Sequence, residues 1–309
     1  MSTNSNDKAD NTATPRAIHE IAVLGAGTMG HGIAQIVAAA GYPVVMFDIS
    51  TEALARGLQS IERNLVKGIQ LGKITERDRD GTIQRICGTS KLEEIRDADL
   101  IIEAAPEALA VKQQLLREVE SLVESRCIFA TNTSSLSITE IASASQQSEN
   151  VIGMHFFNPV HIMRLVEIVV GKQTSNATVA TVRAVARQIK KEPIVVKDVP
   201  GFASSRLGVT LGLEAIRMLE QGVASARDID TAMELGYNHP MGPLRLTDLV
   251  GLDVRLNIAE YLHSALGSEC FRPPEILRQM VSEGKLGKKT GEGFYKWDEH
   301  EQAQKAYTK

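Results

Sequence analysis

Short apolar runs alternate with longer amphipathic stretches from residue 18 to about residue 200. The apolar runs have strand length, whereas the amphipathic stretches repeat their apolar positions at helical spacing. Strands that alternate with helices indicate βαβ units and a mostly parallel α/β sheet. The predicted strands lie in IHEIAVLG, PVVMFD, ADLIIEAAP, CIFATNTSS, VIGMHFF, LVEIVV and EPIVVKD. The predicted helices cover residues 28–40, 51–71, 107–123, 137–144 and 176–190.

The pattern changes after the segment DVPGF, beyond which no convincing strand follows. Turns that contain glycine and proline separate the amphipathic stretches there, so we place a domain boundary at Pro200–Gly201. The turn Met241–Gly242–Pro243 is predicted to end a helix. The sequence thus predicts an α/β domain over 18–200 and a second, all-helical domain over 201–309. The predicted helices of this domain cover residues 201–222, 227–235, 249–266 and 273–284.

The first residues, MSTNSNDKADNTATPRA, are polar and contain no aromatic residue and no Val, Ile or Leu. They match neither the apolar core of a secretion signal nor an arginine-rich presequence, so we expect a disordered leader over 1–17. The three cysteines form no CxxC pattern and leave one unpaired in any disulfide arrangement, which favours a reducing compartment. We therefore predict a cytoplasmic protein.

The composition is that of an ordinary globular protein, with 43% hydrophobic and 23% charged residues. A formal net charge of −4 gives no attraction to nucleic acid or to an acidic membrane surface. No apolar run approaches the roughly 20 residues that span a bilayer. These features predict no nucleic-acid partner and no membrane association.

A glycine-rich turn, GAGTMG, joins the first strand to the first helix. Its GxGxxG spacing combines a tight turn, an open approach for a pyrophosphate and close contact between helix and strand. Asp48 ends the second strand, where a carboxylate binds the adenine ribose and repels a 2′-phosphate. This favours a Rossmann-type NAD site over NADP or FAD; the alternative is a turn with Asp48 capping the next helix. The predicted NAD-binding residues here are Gly25, Gly27, Thr28, Met29, Gly30 and Asp48.

Two polar side chains interrupt the apolar strands of VIGMHFFNPVHIMRLVEIVV. Glu167 loses much of its hydration in such a strand unless a partner compensates it, and His155 in the preceding strand would supply that partner. A neutral imidazole accepts the proton of an alcohol near pH 7, while a carboxylate on its other nitrogen fixes the tautomer. The pair predicts the acid–base centre of a dehydrogenase; a purely structural buried pair is the alternative. A metal site with His161 lacks a third ligand, so no metal is predicted.

Several longer segments together resemble the L-3-hydroxyacyl-CoA dehydrogenase family, which includes 3-hydroxybutyryl-CoA dehydrogenases. The similarity runs in order through nearly all of residues 18–297, and HFFNP and GKKTGEGFY are its most specific parts. The matching segments are GAGTMGHGIAQ, EAAPE, NTSSLSITEIA, GMHFFNPVHIMRLVEIV, DVPGF, HPMGPLRLTDLVGLD and GKLGKKTGEGFY.

The resemblance implies a reversible oxidation of a 3-hydroxyacyl-CoA to the 3-oxoacyl-CoA with NAD, as in fatty acid β-oxidation. His155 would be the catalytic base and Glu167 its orienting partner. Ser134 would bind the 3-oxygen of the substrate, and Asn158 would lie beside substrate and cofactor. The resemblance also implies a homodimer that forms through the helical domain. Further cofactor contacts implied by the family are Glu107, Lys112, Asn132, Ser134 and Lys289.

One residue departs from the family pattern. Relatives usually carry Asn three residues after PGF's phenylalanine, whereas this chain reads PGFASSR and places Ser205 there. A hydroxyl cannot donate to and accept from two separated atoms as an amide does, which leaves a slower enzyme, a bridging water or a shifted substrate. Lys67 and Arg63 on the second helix either contact CoA phosphates or form a solvated face, and Lys67 is included in the predicted substrate site.

Two other functions remain open from the sequence. An enzyme of the same scaffold would oxidise a free hydroxy acid, such as a sugar acid or carnitine, without a CoA site. A non-catalytic NAD-binding protein would have no need for the pair of His155 and Glu167. The 3-hydroxyacyl-CoA dehydrogenase activity is therefore the leading prediction.

Overall fold

A computed structural model describes residues 13–297, and its backbone divides into two units between Phe202 and Ala203. The boundary that the sequence predicts at Pro200–Gly201 stays a prediction. Most of the predicted leader lies outside the described residues. Within its last part, Arg16 donates hydrogen bonds from its guanidinium to the carbonyl of Arg126 and to Oδ1 of Asn150, each at 2.7 Å. The chain is therefore fixed to the first unit from Arg16 onward.

One eight-stranded sheet forms the centre of the first unit, in the strand order β3-β2-β1-β4-β5-β6-β7-β8. Strands β1 to β6 are parallel, β7 is antiparallel to β6, and β8 is parallel to β7. The mostly parallel sheet predicted from the sequence is thus confirmed. The strands are β1 (Ile21–Leu24), β2 (Val44–Phe47), β3 (Ile86–Thr89), β4 (Leu100–Glu103), β5 (Ile128–Thr131), β6 (Val151–Phe156), β7 (Leu165–Val170) and β8 (Glu192–Lys197).

Both faces of this sheet are covered, which explains why its strands are apolar at consecutive positions. In β1, Ile21 and Val23 belong to one apolar cluster, whereas Ala22 and Leu24 belong to another. Helices α1, α2 and α6 complete the first cluster, and α4 and α5 complete the second. The helices are α1 (Thr28–Ala39), α2 (Thr51–Gln70), α3 (Glu76–Gln84), α4 (Leu109–Glu120), α5 (Ile138–Ala142) and α6 (Asn176–Gln188).

The sequence pattern missed α3 and β3, which follow each other between the second helix and the fourth strand. Helix α3, with the sequence ERDRDGTIQ, buries only Thr82 and so offers no apolar period to detect. The helix is instead stabilised at its start by a capping box between Thr75 and Asp78. Strand β3 lies at the edge of the sheet and buries only its last residue, Thr89.

Up to residue 297, the second unit contains five α-helices around one apolar cluster, as the sequence predicts for an all-helical domain. The predicted helix 249–266 is two helices, because Gly251 adopts φ +105 between them. The prediction that Met241–Gly242–Pro243 ends a helix is wrong, since Pro243 begins one, in the first-turn position that suits proline. The helices are α7 (Ser204–Glu220), α8 (Ala226–Gly236), α9 (Pro243–Val250), α10 (Leu252–Leu266) and α11 (Glu275–Ser282). Among the described residues no helix is long and apolar enough to cross a membrane.

Candidate active site

The glycine-rich turn connects β1 to α1, and a different physical reason accounts for glycine at each of its three positions. Gly25 adopts φ +101, which favours glycine, and donates to the carbonyl of Phe47 at 2.7 Å. A Cβ on Gly30 would lie 1.7 Å from the carbonyl oxygen of Gly25, so the fold itself excludes a side chain there. A Cβ on Gly27 would meet no atom within 4 Å. Packing among the described residues therefore does not require glycine at position 27, and the bare backbone leaves room for a ligand to approach.

The amino end of α1 suits a pyrophosphate. Gly27 is the N-cap and provides no side-chain cap, so the first N–H groups of the helix lack that partner. Thr28, the first helical residue, is exposed, and Met29 packs its side chain against the core of the sheet. The helix end thus presents backbone donors and a positive dipole end beside the open position at Gly27.

Asp48 lies directly after β2 and is fixed by two backbone donors. Its Oδ2 accepts from the N–H of Ala26 at 2.8 Å, and its Oδ1 accepts from the N–H of Ser50 at 2.9 Å. A cleft of about 550 Å³ extends from Gly27 and Asp48 to Ile49 and other apolar residues. The exposed fraction of Ile49 is 88%, which is high for a large apolar side chain. A carboxylate at the rim of an apolar cleft suits an adenosine whose ribose hydroxyls donate to it.

Glu107 organises the loop after β5. Its Oε1 accepts from Oγ1 of Thr133 at 2.6 Å and from the N–H groups of Ser134 at 2.9 Å and Ser135 at 3.2 Å. Burial alone would raise the pKa of Glu107, but these hydrogen bonds and the charge of Lys112 outweigh it and lower the pKa. The carboxylate is therefore ionised at neutral pH and holds Ser134 in a fixed loop.

Lys112 lies behind Glu107, with only 1% of its side chain exposed. Its Nζ is 2.7 Å from Oε1 of Glu103 and 3.4 Å from Oε2 of Glu107. The fully buried Glu103 also accepts from the Oγ1 of Thr131 and from the N–H of Ala105, each at 2.6 Å. This geometry lets Lys112 act through Glu107, and its direct contact with the cofactor stays a prediction.

The antiparallel pairing of β6 with β7 places His155 directly opposite Glu167. The Nδ1 of His155 is 2.8 Å from Oε2 of Glu167, and the side chains are 9% and 0% exposed. A carboxylate acceptor places the proton of the neutral ring on Nδ1, which leaves the lone pair on Nε2. Among residues 13–297, no group hydrogen-bonds to Nε2. The imidazole thus has an oriented nitrogen ready to accept a proton.

Two aromatic rings flank the imidazole of His155. The ring of Phe157 lies 4.6 Å from it and the ring of Phe202 lies 5.8 Å from it, measured between centroids. These rings limit how far the imidazole can rotate away from Glu167. They also reduce water access, which strengthens the hydrogen bond between the two residues.

The loops after β5 and β6 are joined at the same edge of the sheet. Oδ1 of Asn132 accepts from the N–H of Phe156 at 2.8 Å. Asn158 follows β6, is exposed, and precedes a cis peptide bond to Pro159. His155, Asn132 and Asn158 therefore lie at the ends of the neighbouring strands β5 and β6. Ser134 follows Asn132 by two residues in the loop after β5.

The remaining predicted residues lie elsewhere. Lys67 is exposed on α2, in the first unit. Ser205 is half-buried in the first turn of α7, and Lys289 is exposed with its Nζ 2.5 Å from Oδ1 of Asp253, both in the second unit. Within the part of the chain that the structure describes, no group of three His, Cys, Asp or Glu residues could hold a metal ion.

Sequence reasoning missed Glu103, Thr131 and Thr133. Glu103 carried a usable signal, because it is a carboxylate at the end of the apolar strand LIIE, as Glu167 is within LVEIVV. Thr131 and Thr133 carried none, since threonine is common in strands and turns alike.

Comparisons with known proteins agree with these features. The family model described as "3-hydroxyacyl-CoA dehydrogenase, NAD binding domain" matches residues 20–199, and the corresponding "C-terminal domain" model matches residues 201–297. A probable 3-hydroxybutyryl-CoA dehydrogenase of Bacillus subtilis strain 168 is 45% identical over 282 residues, which are 91% of this chain and 98% of the relative. Human mitochondrial hydroxyacyl-coenzyme A dehydrogenase is 40% identical over 304 residues, 96% of each chain. The crystal structure of (S)-3-hydroxybutyryl-CoA dehydrogenase from Ralstonia eutropha has a TM-score of 0.89 at 42% identity and covers 92% of this chain and 100% of that chain.

Replacing Gly27 with alanine is expected to weaken NADH binding by about tenfold or more while leaving the melting temperature unchanged. The new methyl group meets open space in the protein but occupies the approach to the pyrophosphate. Fluorescence titration with NADH measures the affinity, and thermal unfolding without NADH measures stability. Gly30→Ala is the matched control and is expected to unfold at lower temperature, because its Cβ overlaps the carbonyl of Gly25. Unchanged NADH affinity in Gly27→Ala would contradict this assignment.

Replacing Glu103 with glutamine is expected to lower the free energy of unfolding by about 3–5 kcal/mol, since it leaves the buried ammonium of Lys112 without its nearest charge. Urea unfolding followed by circular dichroism measures the change. Glu283→Gln is the control, because the ion pair of Glu283 with Lys285 is at the surface, and its unfolding midpoint is expected to stay the same. Equal midpoints for the two variants would mean that the buried pair is not needed for folding.

Proposed function

The chain belongs to the 3-hydroxyacyl-CoA dehydrogenase family, and we propose that it oxidises an L-3-hydroxyacyl-CoA reversibly to the 3-oxoacyl-CoA with NAD. The observation that carries the proposal is the buried hydrogen bond between His155 and Glu167 in a sheet whose first loop has the dinucleotide-binding geometry. Relatives at 40–45% identity are named 3-hydroxybutyryl-CoA dehydrogenases. We therefore take 3-hydroxybutyryl-CoA as the substrate, and we retain 18–200 and 201–309 as the functional domains.

His155 acts as the general base in this proposal. Its Nε2 takes the proton of the substrate 3-hydroxyl, while Nδ1–H keeps donating to Glu167 and the carboxylate stabilises the imidazolium that forms. NAD held by the turn of Gly25, Gly27 and Gly30 and by Asp48 would supply the acceptor for the hydride that leaves C3. In the reverse direction the imidazolium returns the proton to the 3-oxo oxygen. Glu167 thus orients and stabilises the base without touching the substrate.

Ser134 and Asn158 bind the reacting part of the substrate. The hydroxyl of Ser134 lies 3.3 Å from Oε1 of Glu107, the longest of the hydrogen bonds that this carboxyl oxygen accepts. The hydroxyl is therefore the easiest of these donors to redirect to the 3-oxygen of a substrate. Asn158 is exposed directly beyond β6 and offers an amide to substrate and cofactor. Asn132 supports both by fixing the backbone of Phe156.

A positive region on the first unit supports a CoA substrate. Burial and then the charges of Lys191, His31, Lys67 and Lys73 lower the pKa of His161. A cleft of about 320 Å³ reaches His161, Lys73 and Lys191. Several cations around one cleft attract a phosphate-bearing ligand. We assign CoA phosphates to this region, with Lys67 on α2 as one of their contacts.

We further propose a cytoplasmic homodimer that acts in fatty acid β-oxidation. The helical unit carries several large apolar side chains at its surface, which a second copy would cover. Leu207 on α7 is 72% exposed, Leu249 on α9 is 46% exposed, and Val254 on α10 is 39% exposed. Contacts of Lys289 with NAD belong to the same proposal, with Asp253 holding the ammonium in the free protein.

Replacing His155 with alanine is expected to lower kcat for 3-hydroxybutyryl-CoA by about 10²–10⁴-fold, because the general base is lost. NADH formation measured over a panel of 3-hydroxyacyl-CoAs and free hydroxy acids reports both the activity and the substrate class. His19→Ala is the matched control, since His19 is exposed and is expected to keep full activity. A near-normal rate in His155→Ala would disprove the mechanism, and turnover of free hydroxy acids alone would replace the CoA substrate.

The role of Ser205 is tested by two substitutions. Ser205→Ala is expected to lower kcat/KM for 3-hydroxybutyryl-CoA by about tenfold, because one hydrogen-bond donor is removed, whereas Ser205→Asn is expected to raise it. Steady-state kinetics with saturating NAD measure both changes. Thr210→Ala on the same helix is the control and is expected to change neither parameter, since its hydroxyl donates to the carbonyl of Arg206 within the helix. Unchanged kinetics in both Ser205 variants would show that this residue does not contact substrate.

A further inference from the structure

Lys191, between α6 and β8, is a buried lysine whose ammonium binds backbone carbonyls. Its exposed fraction is 7%. Its Nζ donates hydrogen bonds to the carbonyl oxygens of Val160 and Met163, the second at 2.6 Å. Among residues 13–297, no carboxylate pairs with this ammonium. Burying an unpaired cation costs free energy, so the two hydrogen bonds that offset this cost fix where the ammonium can lie.

Both carbonyls belong to the turn that joins β6 to β7, residues 157–164, which we call the β6–β7 turn. It carries Asn158, and Val160 is its one buried residue. A turn with a single buried side chain gains little free energy from packing, so hydrogen bonds to its backbone have to fix its conformation. Lys191 donates two of these bonds from outside the turn.

The buried side chain of the β6–β7 turn packs against α1. A Cβ on Gly32 would lie 2.9 Å from Cβ of Val160, so the bare backbone of the helix admits the valine. Helix α1 begins at Thr28, within the glycine-rich turn. Val160 is thus held from two sides, its side chain by α1 and its carbonyl by Lys191. The place of Asn158, two residues earlier, is therefore set relative to the helix that carries the dinucleotide-binding geometry.

We propose that Lys191 is a positioning residue for the oxidation, which holds the β6–β7 turn so that the amide of Asn158 reaches substrate and cofactor. The inference rests on the function proposed above and adds the residue that fixes Asn158. Lys191 acts through the turn, because two of the three N–H donors of its ammonium are directed to the carbonyls of that turn. Supporting groups of this kind determine whether a reacting group is held in its productive geometry.

Replacing Lys191 with methionine removes both hydrogen bonds while an unbranched apolar side chain still fills the space. The kcat for 3-hydroxybutyryl-CoA is expected to fall by about 10–100-fold, because Asn158 is then held out of position. The affinity for NADH is expected to stay the same. Steady-state kinetics measure kcat and KM, and NADH titration counts the folded sites, so that a fraction of unfolded protein does not count as a loss of rate.

Lys190→Met is the matched control, since it removes an equal charge beside the same cleft without touching the β6–β7 turn. This control is expected to keep kcat, and any rise in KM is expected to be equal in the two variants. Lys191→Gln is a second variant, whose amide still donates to one carbonyl. Its kcat is expected to lie between those of the unaltered protein and Lys191→Met.

A double-mutant cycle with Asn158→Ala separates positioning from a purely structural role. If Lys191 acts through Asn158, the variant that carries both substitutions has the kcat of Asn158→Ala alone, because nothing remains to be positioned. If Lys191 only stabilises the fold, the two losses multiply. The same cycle can be built with Lys191→Gln, which keeps the test valid even where Lys191→Met binds no NADH.

Multiplying losses would overturn the proposal, as would an unchanged kcat in Lys191→Met. A rise in KM beyond that of Lys190→Met at unchanged kcat would also overturn it, since Lys191 would then bind the CoA phosphates directly. Full rate in Lys191→Met together with an inactive His155→Ala would overturn this inference alone. An unaltered protein that does not oxidise 3-hydroxybutyryl-CoA would overturn it together with the proposed function.

Discussion

A slip of one residue between β6 and β7 would turn Glu167 to the opposite face of the sheet and leave His155 without its carboxylate. The register is therefore the constraint on which the proposed chemistry depends. Gly153 helps to fix it, because its missing Cβ admits Val169, its partner across the two strands, and the side chain of Ile138 from α5. An apolar contact two positions away thus determines whether an imidazole is correctly oriented.

The sheet carries three carboxylates, in or directly after its strands, that differ in how they are compensated. Asp48 accepts two backbone N–H groups, Glu103 is paired with an ammonium, and Glu167 orients an imidazole. Asp48 and Glu103 lie at the carboxyl ends of β2 and β4, where the following loop supplies backbone donors, whereas Glu167 lies within β7 and pairs with a side chain on β6. Because their partners differ, Asp48 is suited to bind ribose, Glu103 stabilises the buried Lys112, and Glu167 orients the base.

Much of the fold and part of the site could be predicted from the sequence, and the reasons for the failures are specific. Buried parallel strands and amphipathic helices can be recognised from the spacing of their apolar residues. Helix α3 depends on its cap, and β3 is an edge strand, so neither has that spacing. Apolar spacing cannot show that Gly251 divides one stretch into α9 and α10, because that depends on a backbone angle. The pairing of His155 with Glu167 was predictable because each needed the other, but the depth of Lys112 depends on packing that no local pattern encodes.

The anchoring of Arg16 has a practical consequence for shortened forms of the protein. Its guanidinium bridges the carbonyl of Arg126 and the side chain of Asn150, which precede β5 and β6 at the amino edge of the sheet. A shortened protein that begins at the first strand would keep every residue of the proposed site but would lose these two hydrogen bonds of Arg16. Expression yield and protease resistance would then change without any change in the chemistry, so the useful cut for crystallisation or tagging lies before Arg16.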